Sequence, residues 1–542
     1  MIDRLTSVLA YPDHIDSTLP KDATAVAKGS AVGATAAGID GAEAQMHWRT
    51  RAAVSLLAAV GFVGAMRLMW WYWPGSFFNS AASGTWTALA WDFAHGELYR
   101  PVLSPSGFGG TRYMPLLFVL HGLLIRLHID PVHAGVLLMQ SSVVVAAIAL
   151  YAAQRAAGVK PALALPFAVT PWACVTYQKF CTDVRADYFA AAFVVTAVAA
   201  GYVATRDSRQ RWLWGAGIAC VFGAFSKLTA IAFVIPIAYA LAPGSRLRAV
   251  RFAAATLGGW LVLLAALQWA SAGHFLDNFQ AAVTGGTKVS DIWRHGMPKI
   301  VEELGGDPTI GAPFMLAVWS LVSAARRRDW SAIDSYFLTA TLVTFTIYVS
   351  PGTASNHMIE LQIATTLAVA VAVERGRLSD RVVGYVYALT VLVMIAISLP
   401  LSWMPSPTRT LRLLGPRQRA TVDAIRAEFL SPTAPYLSLN PNVPLLLHER
   451  PAVLDAFNLN VFVVNDTRAG RDLRSRLRAR SYATVIADDG GFFSRDSRPG
   501  DLGFAESAAR FWAAAPPVVQ LIGSDYEIRA VRRPFVIFQP RR

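Results

Sequence analysis

The chain has 542 residues, 54% of them hydrophobic and only 15% charged, with a mean hydropathy of +0.40, well below the roughly 25% charge of a soluble domain. That composition excludes an ordinary soluble globular protein and implies several membrane crossings. The formal net charge of +14 does not point to nucleic acid, because the basic residues fall in short clusters between apolar runs, as in the loops that orient a membrane protein.

In chain order, residues 1–48 read as a flexible cytoplasmic tail, rich in Ala, Gly, Asp and Thr and without the pattern of a cleaved signal peptide. Residues 49–402 read as the transmembrane domain. A crossing helix needs about 20 apolar residues, and the runs 52–72, 131–153, 161–178, 187–205, 212–226, 228–243, 249–270, 311–325, 333–350, 358–374 and 381–400 supply about 11 transmembrane helices. With that count, the basic clusters at Arg49/Arg51, Arg155/Lys160, Arg206/Arg209/Arg211, Arg246/Arg248/Arg251, Arg326–Arg328 and Arg375/Arg377/Arg381 all fall on one side. The positive-inside rule then makes the N-terminus cytoplasmic. Trp70, Trp71, Tyr72 and Trp73 close the first span as an aromatic belt at the outer interface.

The run 114–125 contains His121 and is too short to cross. It reads as an amphipathic helix at the outer surface, inside a long first external loop, 73–130. Residues 403–542 read as an extracytoplasmic α/β domain. Helices are expected near 417–429, 469–480 and 503–514, and strands at 436–439, 443–447, 483–487, 518–522 and 535–538. This part carries no phosphate loop or metal motif and receives no catalytic role. Cys174, Cys181 and Cys220 lack ligand spacing and read as buried small hydrophobes.

Candidate chemistry gathers on the outer side. Asp92, the first acid of the first loop, can serve as a general base toward an acceptor hydroxyl, with Glu97 behind it; an ordinary surface acid is the alternative. Gly107, Gly109 and Gly110 permit unusual dihedrals or close backbone approach. Asp183, Arg185 and Asp187 stand just before a span; they either pair with one another or handle phosphate through the forked donors of Arg185. Lys227, at an outer hairpin turn, either snorkels or contacts a phosphate. Asn356, His357 and Glu360 open a late span; His357 and Glu360 share a helix face, which alone is a weak metal signal, and no metal site is assigned.

The order of these features resembles the GT-C superfamily of membrane glycosyltransferases. Those features are an acid in a long first loop, Tyr113-x-Pro115-Leu116 opening a surface helix, Arg185-x-Asp187, Lys227 at a hairpin, and Asn356-His357-x-x-Glu360. Within that superfamily, the chain resembles glycosyltransferase family 39 and RgtA/B/C/D-like proteins, related to protein O-mannosyltransferases and aminoarabinose transferases. The resemblance implies an inner-membrane enzyme moving a sugar from a polyprenyl-phosphate carrier to a glycan, lipid or protein acceptor on the outer face, with a divalent metal left open. Asp92 is then the base, and Arg112, Tyr113, Asp183, Arg185, Asp187, Lys227, Asn356, His357 and Glu360 form the donor-phosphate set. Members often carry Asp-Glu soon after the first span, where this chain has Asn79-Ser80. A transporter or flippase, or a non-catalytic component of envelope assembly, is the competing class. Against transport, there is no internal repeat and the polar residues cluster at one face rather than the midplane.

Overall fold

The computed structural model describes residues 48–72, 80–206, 209–283, 291–350, 353–398, 418–493 and 496–542. The N-terminal tail, Trp73 and Asn79 lie outside the described residues.

The chain begins with α1 (Trp48–Tyr72), then α2 (Ala81–Ala94), the short hairpin β1 (Leu103–Ser104) and β2 (Gly107–Phe108), and α3 (Pro115–Arg126). Helix α4 (Pro131–Ala156) follows directly: the Asp130 side chain accepts from the N–H groups of Val132 and His133, and Pro131 takes the first helical position. The expected crossing at 161–178 is interrupted. Pro171 stands in a 3-10 turn (Thr170–Ala173) that separates α5 (Pro161–Val169), with Pro166 inside it, from α6 (Val175–Phe180). Next come α7 (Asp187–Arg206), α8 (Gln210–Ser226), a 3-10 stretch (Leu228–Phe233), α9 (Val234–Leu241), α10 (Arg246–Ala270) and α11 (His274–Val283). After a π-helical turn (Ile292–Gly296) the chain continues as α12 (Met297–Gly306), α13 (Pro308–Arg327), α14 (Ala332–Tyr348), α15 (Met358–Glu374) and α16 (Asp380–Ser398).

Among the described residues, six helical stretches are long and apolar enough to cross a membrane: Trp48–Trp70, Pro131–Ala156, Asp187–Arg206, Arg246–Ala270, Pro308–Arg327 and Ser355–Glu374. Helix α15 is central, with Met358, Ile359 and every residue from Leu361 to Val373 buried. The basic clusters meet at one end of the bundle. Arg206 and Arg375 both donate to the Tyr202 hydroxyl, at 2.7 and 2.9 Å. The Lys160 amide donates to Glu374, and the Thr50 amide to Asp380. Buried Arg377 pairs with Asp334, whose carboxylate also closes the capping box of α14 with Ser331.

The C-terminal part contains α17 (Gln418–Phe429), β3 (Tyr436–Ser438), α18 (Asn442–Leu446), α19 (Ala456–Val464), α20 (Arg468–Arg478), β4 (Thr484–Asp488), α21 (Phe504–Ala514), α22 (Pro517–Asp525), β5 (Tyr526–Arg532) and β6 (Phe535–Pro540). Its sheet has the order β3-β4-β6-β5, with β3 and β4 parallel and the other pairs antiparallel. The pleat sends alternate side chains to opposite faces. Ile486, Phe535 and Ile537 join the core shared with the helical bundle, whereas Val485, Val536 and Phe538 join a second core under α19, α20 and α22. One face of the sheet is therefore continuous with the bundle.

Two expected strands are helices. Residues 443–447 lie largely in α18, where the Asn440 side chain accepts the Asn442 N–H and all five helical residues are buried. Residues 518–522 lie in α22, started by Pro517, and the strand is the following β5. The run 443–447 is buried throughout and so has no periodicity to separate strand from helix.

Candidate active site

Asp183 and Arg185 lie in the link between α6 and α7, and Asp187 is the first residue of α7. Asp183 Oδ1 accepts from the hydroxyl of Ser80 at 2.6 Å and from that of Ser83. Its Oδ2 accepts from Arg185 Nε at 2.6 Å. The Arg185 guanidinium lies over the Phe180 ring, 5.0 Å from its centroid, and its Nη1 donates to Asn356 Oδ1 at 3.3 Å. Asn356 turns its amide nitrogen to Asp187 Oδ2 at 2.8 Å, and Lys227 Nζ donates to Asp187 Oδ1 at 2.6 Å. Four separate segments thus meet in one hydrogen-bonded chain from Ser80 to Lys227.

Lys227 holds this place because α8 ends beneath it. It adopts an extended conformation between α8 and the 3-10 stretch. Asp187, Lys227, His357 and Glu360 line a small cavity with Thr229 and Phe233. His357 Nδ1 has no hydrogen-bond partner there, and Glu360 accepts from the Tyr336 hydroxyl at 2.5 Å. Among the described residues no three His, Cys, Asp or Glu side chains gather so as to hold a metal ion. From Asp187 to Arg206, α7 rises roughly 29 Å, close to the thickness of a bilayer core. The polar cluster and the basic end therefore stand about one membrane apart.

Arg112 and Tyr113 border the same region. Tyr113 stacks on Trp86, with centroids 4.4 Å apart, and lies within electrostatic reach of Arg185, Arg112, Asp187 and Asp455. Arg112 is exposed and also acts electrostatically on His357.

Asp92 is placed elsewhere. It sits on the last turn of α2, nine residues and so roughly 14 Å along the helix from Ser83. Its oxygens accept from Arg100 Nε and Nη2 at 2.6 and 2.7 Å, and Arg450 adds a third contact at 3.1 Å. Arg100 is 0% exposed and also donates to the Pro451 carbonyl. With both oxygens held by guanidinium groups, Asp92 clasps the first loop to the C-terminal part. Glu97 joins the clasp through Arg450. The glycines serve the same docking: Gly107 has φ +144°, and a Cβ there would fall 2.0 Å from the Ala452 carbonyl oxygen.

Sequence reasoning missed Ser80, Ser83 and Tyr336, which carry no spacing signal, and Asp455, which stands in a domain without a catalytic motif. A separate apolar groove of about 980 Å³ between α8 and α10, with Trp214, Ile218, Phe222 and Val262 in its walls, contains none of the candidate residues.

The architecture is a helical bundle with a polar cluster at one end and an α/β layer docked over its first loop. No protein-family model matches the sequence, and no curated protein matches it. Solved structures do match. ArnT from Cupriavidus metallidurans bound to undecaprenyl phosphate gives a TM-score of 0.52 at 13% identity, covering 89% of this chain and 97% of that one. The Archaeoglobus fulgidus oligosaccharyltransferase in its apo form gives 0.51 at 13% identity, covering 89% and 73%. The same transferase tethered to an acceptor peptide containing the NVT sequon gives 0.52 at 12% identity, covering 87% and 72%. At 12–13% identity the likeness is one of fold, and at that level it agrees with the resemblance drawn from the sequence.

Proposed function

We propose that this chain is a multi-pass membrane glycosyltransferase that takes a sugar from a polyprenyl-phosphate carrier and transfers it to a glycan, lipid or protein acceptor on the outer face of the inner membrane. In this reading eleven crossings put the basic clusters in the cytoplasm, and the polar cluster and the α/β part outside. The observation that carries it is the meeting of Arg185 and Lys227 with Asp183, Asp187 and Asn356 at the end of α7 remote from the basic clusters. The shared fold with a protein crystallised with undecaprenyl phosphate supports the donor class.

The chemistry follows from charge. A polyprenyl phosphate leaves with a growing negative charge and needs cations rather than a protonating acid, in contrast to glycosidases. Arg185 offers forked donors and Lys227 a compact ammonium to that phosphate. Asp183 and Asp187 fix both cations in position, and Arg112, Tyr113, His357 and Glu360 border the same space. Such prealigned charge lowers the barrier because it does not reorganise during the reaction.

The test uses the purified full-length chain in nanodiscs. Undecaprenyl phosphate should bind saturably, and Lys227→Ala should weaken it by about tenfold or more, the scale of one charge-assisted contact. Short-chain polyprenyl-phosphate monosaccharides, supplied with an envelope fraction as acceptor, should release polyprenyl phosphate. Absence of both saturable binding and release, for every donor of the panel, would remove this reading.

A further inference from the structure

Resting on that reading, we infer that Asp455, from the C-terminal α/β part, is the carboxylate that takes the proton of the acceptor hydroxyl, with Tyr113 within electrostatic reach of both Asp455 and Asp187. A general base needs an oxygen lone pair that is not committed to a fixed cation, at a place an acceptor can reach. Both oxygens of Asp92 are held by guanidinium groups. Asp183 is held by Arg185 and two serines, and Asp187 by Lys227 and Asn356. Asp455 accepts only from neutral donors, the Phe457 N–H at 2.9 Å and the Asn458 amide at 3.0 Å. Among the described residues no cation stands within ion-pair distance of it.

Its position is fixed by backbone pairing with the first loop. The Phe108 N–H donates to the Ala452 carbonyl at 2.7 Å and the Leu454 N–H to the Phe108 carbonyl at 3.2 Å. The Asn458 amide nitrogen that reaches Asp455 Oδ2 also donates to the Gly110 carbonyl at 2.9 Å. One nitrogen therefore ties Asp455 to a point two residues before Arg112. Gly110 makes this approach possible: its φ is +89°, and a Cβ would lie 2.3 Å from Phe462 Cζ on α19. Helix α19 is the one whose N-terminus Asp455 caps.

The charged and titratable groups facing Asp455 are Arg112 and Tyr113. Burial pushes its carboxyl above the usual range, and Arg112 and the donors from Phe457 and Asn458 only partly offset this. That is the direction in which a carboxylate gains strength as a base.

In the transfer, the acceptor O–H proton passes to Asp455 as the acceptor oxygen bonds to the anomeric carbon. The bond from that carbon to the phosphate oxygen breaks, its electron pair leaves with the polyprenyl phosphate, and Asp455 then returns its proton to solvent. Configuration is inverted.

Asn caps a helix as well as Asp does, so Asp455→Asn removes the charge while keeping the cap. The experiment follows release of farnesyl phosphate from farnesyl-phosphate-linked hexoses and pentoses by the full-length chain, with an envelope fraction as acceptor. Asp455→Asn should lower kcat by about 10²–10⁴-fold, with KM for donor and affinity for farnesyl phosphate unchanged. Asp455→Glu should recover part of kcat with a displaced basic limb of the pH profile. A kcat within about threefold of wild type in Asp455→Asn would overturn the inference and leave the glycosyltransferase reading intact. So would joint loss of kcat, melting temperature and farnesyl phosphate binding, which marks a structural role. A wild-type chain that cleaves no donor would remove both.

Discussion

Lys227 donates to Asp187 across 2.6 Å, although forty residues separate them. Asp187 is 7% exposed and Lys227 21%, so removing either partner strands a charge in a largely buried place. Breaking a fully buried pair costs roughly 3–5 kcal/mol, and the partial exposure of Lys227 puts this pair below that range. Lys227→Ala should therefore lower the melting temperature as well as donor affinity. The double variant Lys227→Ala/Asp187→Asn should regain much of the stability and none of the affinity. Thermal melts and undecaprenyl phosphate titrations of the three proteins separate the two effects, and a double variant that binds normally would take the phosphate role away from Lys227.

Asp92 and Arg100 give a complementary expectation. Arg100 is 0% exposed, and Asp92→Ala leaves its guanidinium uncompensated, at a cost of about 3–5 kcal/mol. The C-terminal part should then be cleaved faster than in wild type in limited proteolysis, while Glu97→Ala, on the exposed rim of the clasp, should change cleavage little. Cleavage of Asp92→Ala at the wild-type rate would show that the clasp does not secure the dock.

A pH dependence follows from Asp455 with a definite sign. Its carboxyl is held above the unfolded value by burial, so the folded state binds the proton more tightly. That contribution is complete below the unfolded value near ~3.9 and is lost as pH rises through the folded one. Relative to wild type, Asp455→Asn should gain stability between acid and neutral pH. Melting curves of both proteins across that range test it, and parallel curves would contradict the direction.

Sidedness is open to cysteine labelling because all three native cysteines are buried. Ser106, beside the dock, and Arg211, in a basic cluster, are both exposed. Ser106→Cys should react with an impermeant maleimide in intact spheroplasts, and Arg211→Cys only after permeabilisation. Equal labelling of both before permeabilisation would refute the eleven-span orientation.

The sequence by itself determined the helical membrane-type architecture, because long apolar runs broken by proline and basic clusters leave few other solutions. It also singled out Arg185, Asp187, Lys227 and Asn356, since a charged or polar side chain at the edge of an apolar run is costly and therefore conspicuous. What joins them is a hydrogen-bonded chain across four segments, and contacts of that kind leave no mark in sequence spacing. The same holds for Asp92 and Asp455. Local composition makes Asp92 stand out as the nearest acid, whereas Asp455 blends into the ordinary polar composition of a soluble layer. Tertiary structure reversed their circumstances: Arg100 and Arg450 converge on Asp92, while the dock of Leu454 on Phe108 carries Asp455 to the loop beside Arg112 with no cation at ion-pair distance among the described residues. A carboxylate's role depends on which charges and donors surround it: Arg450 reaches Asp92 from 358 residues away in the chain, and the Asn458 amide that binds Asp455 is itself tied to Gly110 across the dock.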